Sequence, residues 1–547
     1  MTLPPPPHPA LLPSTARGRW ALLAIVIVAA ALRWAGMDWG LPSATHLFPF
    51  HPDELTNINA PRRMLESGDL NPRFFHYGSL YSYLVWLAYL PCRALGGLEQ
   101  TATYFWIGRL VVLGCALLTL PVLFAIGRLL GGERLGLIAA ALLAVTPAHV
   151  MHGAFATVDV PSILFAALSL WLALRALEAT ATPRRWLVFG ATVCCGLAAA
   201  TKYPMGIVGL ASLVAIGLAR VDTPRERAGD AAVAVLGGAV GFLLGCPYAV
   251  LDFSAFWRDL HYELFEHAVQ GHGELFAATG NGWWFTFTQN LPYVMGPVLL
   301  LIGLVGTATL TRARPRAGLV LLAFAVPYFA MLGAVQIRFM RYSLALAPVL
   351  CLGAAFVLQG IWRRGTMGHR AAAAALAVLV VLPTLVQTAA FAREDPRLAA
   401  VQLLVERSAP DDRVGALMHP GWFSVPLTRF NGGRPARAYG QVDDGPLTLT
   451  VTEGWQPDAL RQTAPEWFAL TEFWWSFEDT MAGGGRRAFL GALDRDYELV
   501  FGDAGYRKSL RWLFGNPHPP HDWLYPFPEV RVYQRRSPQR AVAAPGR

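Results

Sequence analysis

Long apolar runs dominate the first ~390 positions of the chain, and a membrane-crossing helix needs about 20 mostly apolar residues. The candidate runs are 20–37, 79–96, 104–127, 135–152, 159–178, 186–201, 204–219, 231–250, 291–311, 317–335, 343–361 and 371–391. The first follows a Pro-rich start with Arg17 and Arg19, a pattern shared with secretory signals. Because the run continues to about Trp34 and many others follow, the sequence predicts an uncleaved first transmembrane helix.

The placement of arginine tests the count. Short loops hold Arg128/Arg134, Arg184/Arg185, Arg220/Arg225/Arg227, Arg312/Arg314/Arg316 and Arg363/Arg364/Arg370. Cytoplasmic loops are the ones enriched in Lys and Arg. All of these fall on one side, with Arg17 and Arg19, if one early run does not span. The run 79–96 carries Tyr81, Tyr83, Tyr89, Pro91 and Arg93, so it reads as a re-entrant or membrane-surface helix. The prediction is therefore a polytopic α-helical membrane protein with about eleven transmembrane helices in residues 1–391. Its N-terminus is cytoplasmic. The segments 38–103 and 251–290, and the tail 392–547, face the other side of the cell (inner or plasma) membrane.

The tail changes character. Gly/Pro turns, mixed charges and the short runs Val414–Met418, Trp467–Thr471 and Val530–Tyr533 predict an extracytoplasmic α/β domain. The six cysteines all lie at or before Cys351, so disulfides do not hold it together. Composition agrees with this division. The 547 residues are 54% hydrophobic and only 15% charged, against about 25% charge in an ordinary soluble protein. The net charge of +9 does not point to nucleic acid, because much of it is arginine in the short loops, where it sets orientation.

The informative charges are those on the outer side. Ionisable groups near a membrane interior are costly and mark functional sites. His51-Pro52-Asp53-Glu54 offers two adjacent carboxylates that can divide acid–base and binding roles, although Pro-Asp-Glu also suits a helix start. Asp159 stands where an apolar helix begins. Lys202 is one of two lysines in an arginine-rich chain, a compact charge suited to phosphate or to a snorkelling anchor. Arg338 and Arg341 break the arginine pattern and can grip phosphate by their forks. Glu266, His267 and His272 are candidate ligands for a divalent metal ion, with spacing that a solvated loop also allows.

These residues resemble the motifs of glycosyltransferase family 39, which includes protein O-mannosyltransferases and lipid A aminoarabinose transferases of the GT-C superfamily. Pro52-Asp53-Glu54, with Arg63 to Asp69 and Asn71-Pro72, is similar to the family's first outer loop. Thr157 to Pro161, Thr201-Lys202-Tyr203, Phe265-Glu266-His267 and Arg341-Tyr342 before Pro348 resemble its later motifs in the same order. The likeness runs over residues ~20–360. It implies a GT-C fold, a polyprenyl-phosphate-linked sugar donor drawn from the membrane lipid, and inverting transfer to a glycolipid, glycan or protein acceptor. It also implies Asp53 as general base or acceptor-orienting group, with Glu54 and Asp159 in support, and Lys202 with Arg338 or Arg341 on the donor phosphate. The chain departs from the aminoarabinose transferases at Phe75-His76-Tyr77-Gly78, where they carry an acidic-basic-Pro motif. His76 then becomes a further candidate metal ligand.

The main rival is a transporter or flippase of a lipid-linked glycan, which would place ionisable groups near the bilayer midplane and show repeated halves. The sequence has its unusual charges at one face and no visible repeat. A reporter fused after residue 395 should read extracytoplasmic; a cytoplasmic signal overturns the orientation.

Overall fold

The computed structural model describes residues 11–43, 46–219, 223–270, 276, 279–417, 422–427, 447–452, 454–476, 485–502, 511–515 and 519–536. Helix α1 (Ala16–Trp34) starts at Thr15, whose hydroxyl accepts the Gly18 N–H. Helices α2 (Pro52–Ser67), α3 (Leu80–Ala94) and α4 (Thr101–Gly131) follow. At fifteen residues, α3 is shorter than a full membrane span. Next come α5 (Glu133–Ala144), α6 (Pro147–His152), α7 (Asp159–Ala176), α8 (Ala181–Thr201), α9 (Gly209–Leu218) and α10 (Pro224–Gly245). Four long helices complete the apolar part, Pro297–Ala313, Pro315–Ala334, Ala347–Arg363 and Met367–Phe391.

By length and apolar composition six helices among the described residues qualify as membrane spans, or seven if one bent pair counts as a single span. Eleven runs were expected, and the difference has local causes. The run 135–152 divides into α5 and α6 because Pro147 lacks an N–H and forces Thr146 into an extended conformation (ψ 121°). The run 291–311 bends by 109° at Gly296, whose φ of +75° suits glycine. The run 204–219 opens as a 3₁₀ turn over Tyr203–Val208 before α9. In α1, Arg33 is fully buried; it donates to the carbonyls of Ala29 (2.9 Å) and Ala144 (3.1 Å) and meets His149 Nδ1 at 2.7 Å.

Close packing comes from small residues. A Cβ on Gly241 of α10 would lie 2.1 Å from the Val193 carbonyl oxygen of α8, so the two backbones touch directly. Such contacts are the usual means of tight helix association in lipid, where hydrophobic drive between helices is absent.

Beyond the apolar helices, a helix at Pro396–Arg407 leads into β1 (Arg413–Ala416), β2 (Thr448–Val451), β3 (Trp467–Thr471), β4 (Tyr497–Gly502) and β5 (Val530–Arg535). The sheet order is β2-β1-β3-β5-β4. β1 pairs in parallel with β2 and β3, while β5 is antiparallel to β3 and β4. β1, β3 and β5 coincide with the three β-like runs of the sequence; Met418, at the end of the first, lies outside the described residues. Every residue of β3 is buried.

The sheet is locked to the membrane helices by Arg397. Its fork grips Asp395 at 2.9 and 2.6 Å, and it donates to the Tyr525 carbonyl at 3.0 Å. Trp39 donates to the same carboxylate at 2.9 Å, and Phe50 lies 3.9 Å beneath the guanidinium. Removing one partner of a buried pair strands the other and costs about 3–5 kcal/mol. Arg397→Ala should therefore speed limited proteolysis around residues 391–396 and lower the melting temperature in detergent; an unchanged digest argues against this clamp.

Candidate active site

The start of α2 sets the site. His51 caps the helix, its Nδ1 accepting the Asp53 N–H at 3.3 Å, and Pro52 takes the first helical position, where a missing N–H costs nothing. Successive helical residues point about 100° apart, so Asp53 and Glu54 face different surroundings. Asp53 Oδ2 lies 2.9 Å from Arg341 Nη2, and its side chain remains 20% exposed.

Glu54 is fully buried and takes a different role from the one expected. Its two oxygens receive Arg109 Nε and Nη2, each at 2.7 Å, and Oε1 also accepts the Ala156 N–H at 2.7 Å. Arg109 Nη1 donates to the carbonyls of Met37 (2.7 Å) and Trp39 (2.8 Å). Glu54 is thus engaged in joining α2 to α4, to the bend before α7 and to the exit of α1, with both oxygens occupied and buried.

Arg341 comes from a 3₁₀ turn over Met340–Leu346. A second carboxylate, Asp522, lies 3.5 Å from its Nη1 and accepts the backbone N–H groups of Met340 (2.8 Å) and Arg341 (2.9 Å). Asp159, at the first position of α7, meets Lys202 Nζ at 2.5 Å just beyond the end of α8. Tyr342 links the two cations, with Lys202 Nζ 4.0 Å and Arg341 Cζ 5.3 Å from its ring centre. Asp53, Asp159, Lys202 and Arg341 therefore lie in one cluster.

Tyr77 reaches the same cluster because the 75–78 segment lies directly on α8. A Cβ at Gly78 would sit 2.0 Å from the Ala200 carbonyl oxygen, and the Tyr203 hydroxyl donates to the carbonyls of Phe75 (2.8 Å) and Tyr77 (3.1 Å). Burial raises the Asp53 carboxyl above its ordinary range, an effect Arg341 opposes. Burial and then the nearby Asp53 push Tyr77 well above a normal phenol, so it stays a neutral donor. Beside the cluster, His51 Nε2 and both ring nitrogens of His152 are buried with no protein partner among the described residues. Buried polar atoms of this kind are normally satisfied by water or ligand.

The other expected residues lie elsewhere. Arg338 donates to the Thr279 hydroxyl and, at 2.8 Å, to the Gly280 carbonyl, on a separate loop. Of the proposed metal ligands, His76 and His267 are brought together, each with Nδ1 2.8 Å from an oxygen of Glu263. Glu263 and His267 share a helical face at i, i+4, which turns Glu266 outward to 52% exposure, 3.8 Å from His261. His272 lies outside the described residues. The expected ligand set is therefore not assembled, and among the described residues no group of three or more metal-ligating side chains is placed to hold an ion. Hydrogen bonding to Glu263 raises the His76 pKa; burial pushes Glu263 up, but the bonds from His267 and His76 outweigh it and hold it low. The arrangement is a hydrogen-bonded tether between the segment at 75–78 and the helical turn at Tyr262–His267.

Sequence reasoning missed Asp522, Tyr77, Glu263 and Arg109. The Glu-x-x-x-His spacing of Glu263 and His267 was a readable signal. Asp522 carried only its aromatic setting, His521-Asp522-Trp523.

Residues 101–250, which contain α4 to α10, match the family described as Dolichyl-phosphate-mannose-protein mannosyltransferase. The fold as a whole is similar to ArnT from Cupriavidus metallidurans bound to undecaprenyl phosphate, with a TM-score of 0.50 and 16% identity, over 95% of this chain and 98% of that one. The chain has the fold of the GT-C membrane glycosyltransferases. The Archaeoglobus fulgidus oligosaccharyltransferase, solved with Zn and sulfate, is similar at a TM-score of 0.50 and 14% identity, over 72% of this chain. This chain spans 60% of the length of that enzyme. No curated protein sequence matches it. The likeness to glycosyltransferase family 39 motifs agrees with the matched family, and the chain is a multi-pass membrane protein.

Glu54→Ala leaves Arg109 buried without its anion and should cost about 3–5 kcal/mol. Thermal unfolding and membrane abundance should both fall, whereas Asp53→Asn, at a partly exposed position, should leave both near wild type. Equal loss in the two variants contradicts the division of roles.

Proposed function

We propose that this protein transfers a sugar, with inversion, from a polyprenyl-phosphate-linked donor to an acceptor at the outer face of the cell membrane. The observation that carries the reading is the cluster of Asp53, Arg341, Lys202 and Asp159 at one end of the helix bundle, beside orphaned buried polar atoms. The arginine-rich ends of the same helices lie opposite, which supports a cytoplasmic N-terminus and an outer-facing site. Undecaprenyl phosphate in the similar ArnT supports a lipid-phosphate carrier here.

Asp53 takes the proton of the acceptor hydroxyl, or holds that hydroxyl in line. The acceptor oxygen then attacks the anomeric carbon while its bond to the phosphate oxygen breaks, and polyprenyl phosphate leaves. Lys202 and Arg341 stabilise the negative charge that grows on the phosphate, and Asp159 fixes the lysine. Tyr77, kept neutral, donates a hydrogen bond at the same place. Glu54 acts as an anchor, and Arg338 shapes a neighbouring outer loop. The acceptor belongs to the glycolipid, glycan or protein classes. A flippase reading is less well supported, because Asp159 and Lys202 both stand at helix ends.

In vesicles supplied with a purified polyprenyl-phospho-sugar, Asp53→Asn should lower transfer by about 10²–10⁴-fold, the usual contribution of a general base. Because burial raises the Asp53 pKa, the acid limb of the wild-type pH–rate profile should lie above the ordinary 3.8 of aspartate and vanish in the variant. Unchanged transfer by Asp53→Asn, with the native acceptor present, rejects Asp53 as the base.

A further inference from the structure

The end of the helix bundle opposite Asp53 contains a cavity of about 1290 Å³. It lies between the ends of α4, α7 and Ala347–Arg363, the starts of α5 and α8, and the turn joining Pro297–Ala313 to Pro315–Ala334. Helix α7 runs from Asp159 in the acid–base cluster to this cavity, about 27 Å at 1.5 Å per residue. The two sites are therefore near opposite faces of a hydrocarbon layer about 30 Å thick.

Five arginines line the cavity, Arg128, Arg175, Arg314, Arg316 and Arg363, against two acids, Glu133 and Glu178. Both acids are already engaged. Glu133 accepts from the hydroxyls of Ser14 (2.9 Å) and Thr15 (2.8 Å), and Glu178 pairs with Arg316 at 3.1 Å. Arg128 is tied to the Leu12 carbonyl at 2.9 Å. Arg175, Arg314 and Arg363 have no carboxylate within ion-pair distance among the described residues. The guanidinium of Arg175 lies 5.0 Å over the Trp171 ring, which fixes it without neutralising it. Between the arginines the walls are apolar, with leucines and Phe356.

We propose that this cavity binds the phosphate headgroup of an anionic phospholipid from the leaflet opposite the Asp53 site. Unpaired guanidinium forks suit a phosphodiester. The apolar walls suit the adjoining acyl chains, and basic pockets between transmembrane helices are established headgroup sites in general. A soluble phosphate would use the arginines but not the apolar walls, so the lipid is the better occupant. The site is separate from the proposed transfer reaction and does not depend on it.

The test is titration of the purified, delipidated protein with phosphatidylglycerol and with phosphatidylcholine, followed by native mass spectrometry. Phosphatidylglycerol should be retained about tenfold more strongly, and the double variant Arg175→Gln/Arg363→Gln should lose that preference. Arg363→Gln alone, at an exposed position that tolerates change, should lose part of it. Asp53→Asn should keep it in full. Equal retention of the two lipids, or an undiminished preference in both arginine variants, overturns the proposal. Displacement of phosphatidylglycerol by millimolar inorganic phosphate assigns the cavity to a soluble phosphate and overturns the lipid assignment.

Discussion

The pairing of Glu54 with Arg109 is the constraint on which the site depends. Two fully buried charges survive only when hydrogen bonds satisfy nearly every donor and acceptor. Here Glu54 meets three N–H groups and Arg109 Nη1 meets two carbonyls, so four chain segments must arrive together. The pair adds little net stability of its own, but it excludes arrangements that would leave either charge bare. Asp53 is the next residue along the same helix, so its direction is determined once Glu54 is placed.

The remaining charges follow a different logic. Lys202 and Arg341 are nearly buried cations, each held by carboxylate, and coupled through the Tyr342 ring. In the function proposed above, the donor phosphate would enter this cluster. The incoming anion must then compete with Asp53 for the Arg341 fork, while Asp522 and its backbone contacts hold the arginine in place. In the function proposed above, releasing Asp53 from Arg341 would make the carboxylate more basic, and a single ion pair would join donor binding to base activation.

Much of this was legible in the sequence because helix ends are legible. Asp53, Asp159, Lys202 and Arg341 each sit beside an apolar run, and orientation placed those ends on one side. Three of the five described strands, β1, β3 and β5, showed as short β-like runs. What could not be read depends on pairing across the fold. Nothing local to Glu54 announces Arg109, and Arg338 differs from Arg341 only in which neighbours its turn presents. The break at Pro147 was visible as a proline, but a hydropathy window averages over it. Among the described residues the histidines meet Glu263, three positions before the expected Glu266, because Glu263 and His267 share a helix face.

Asp522 gives the fold a consequence in time. Asp53 and Asp522 lie 469 positions apart, yet both hold the same guanidinium. A chain leaving the ribosome presents Asp53 near the beginning and Asp522 close to the end, after every apolar helix has emerged. Until the segment carrying Asp522 has folded back, Arg341 lacks one of its two anions. A chain truncated before Asp522 would thus carry an unfinished centre, with Arg341 held by Asp53 alone.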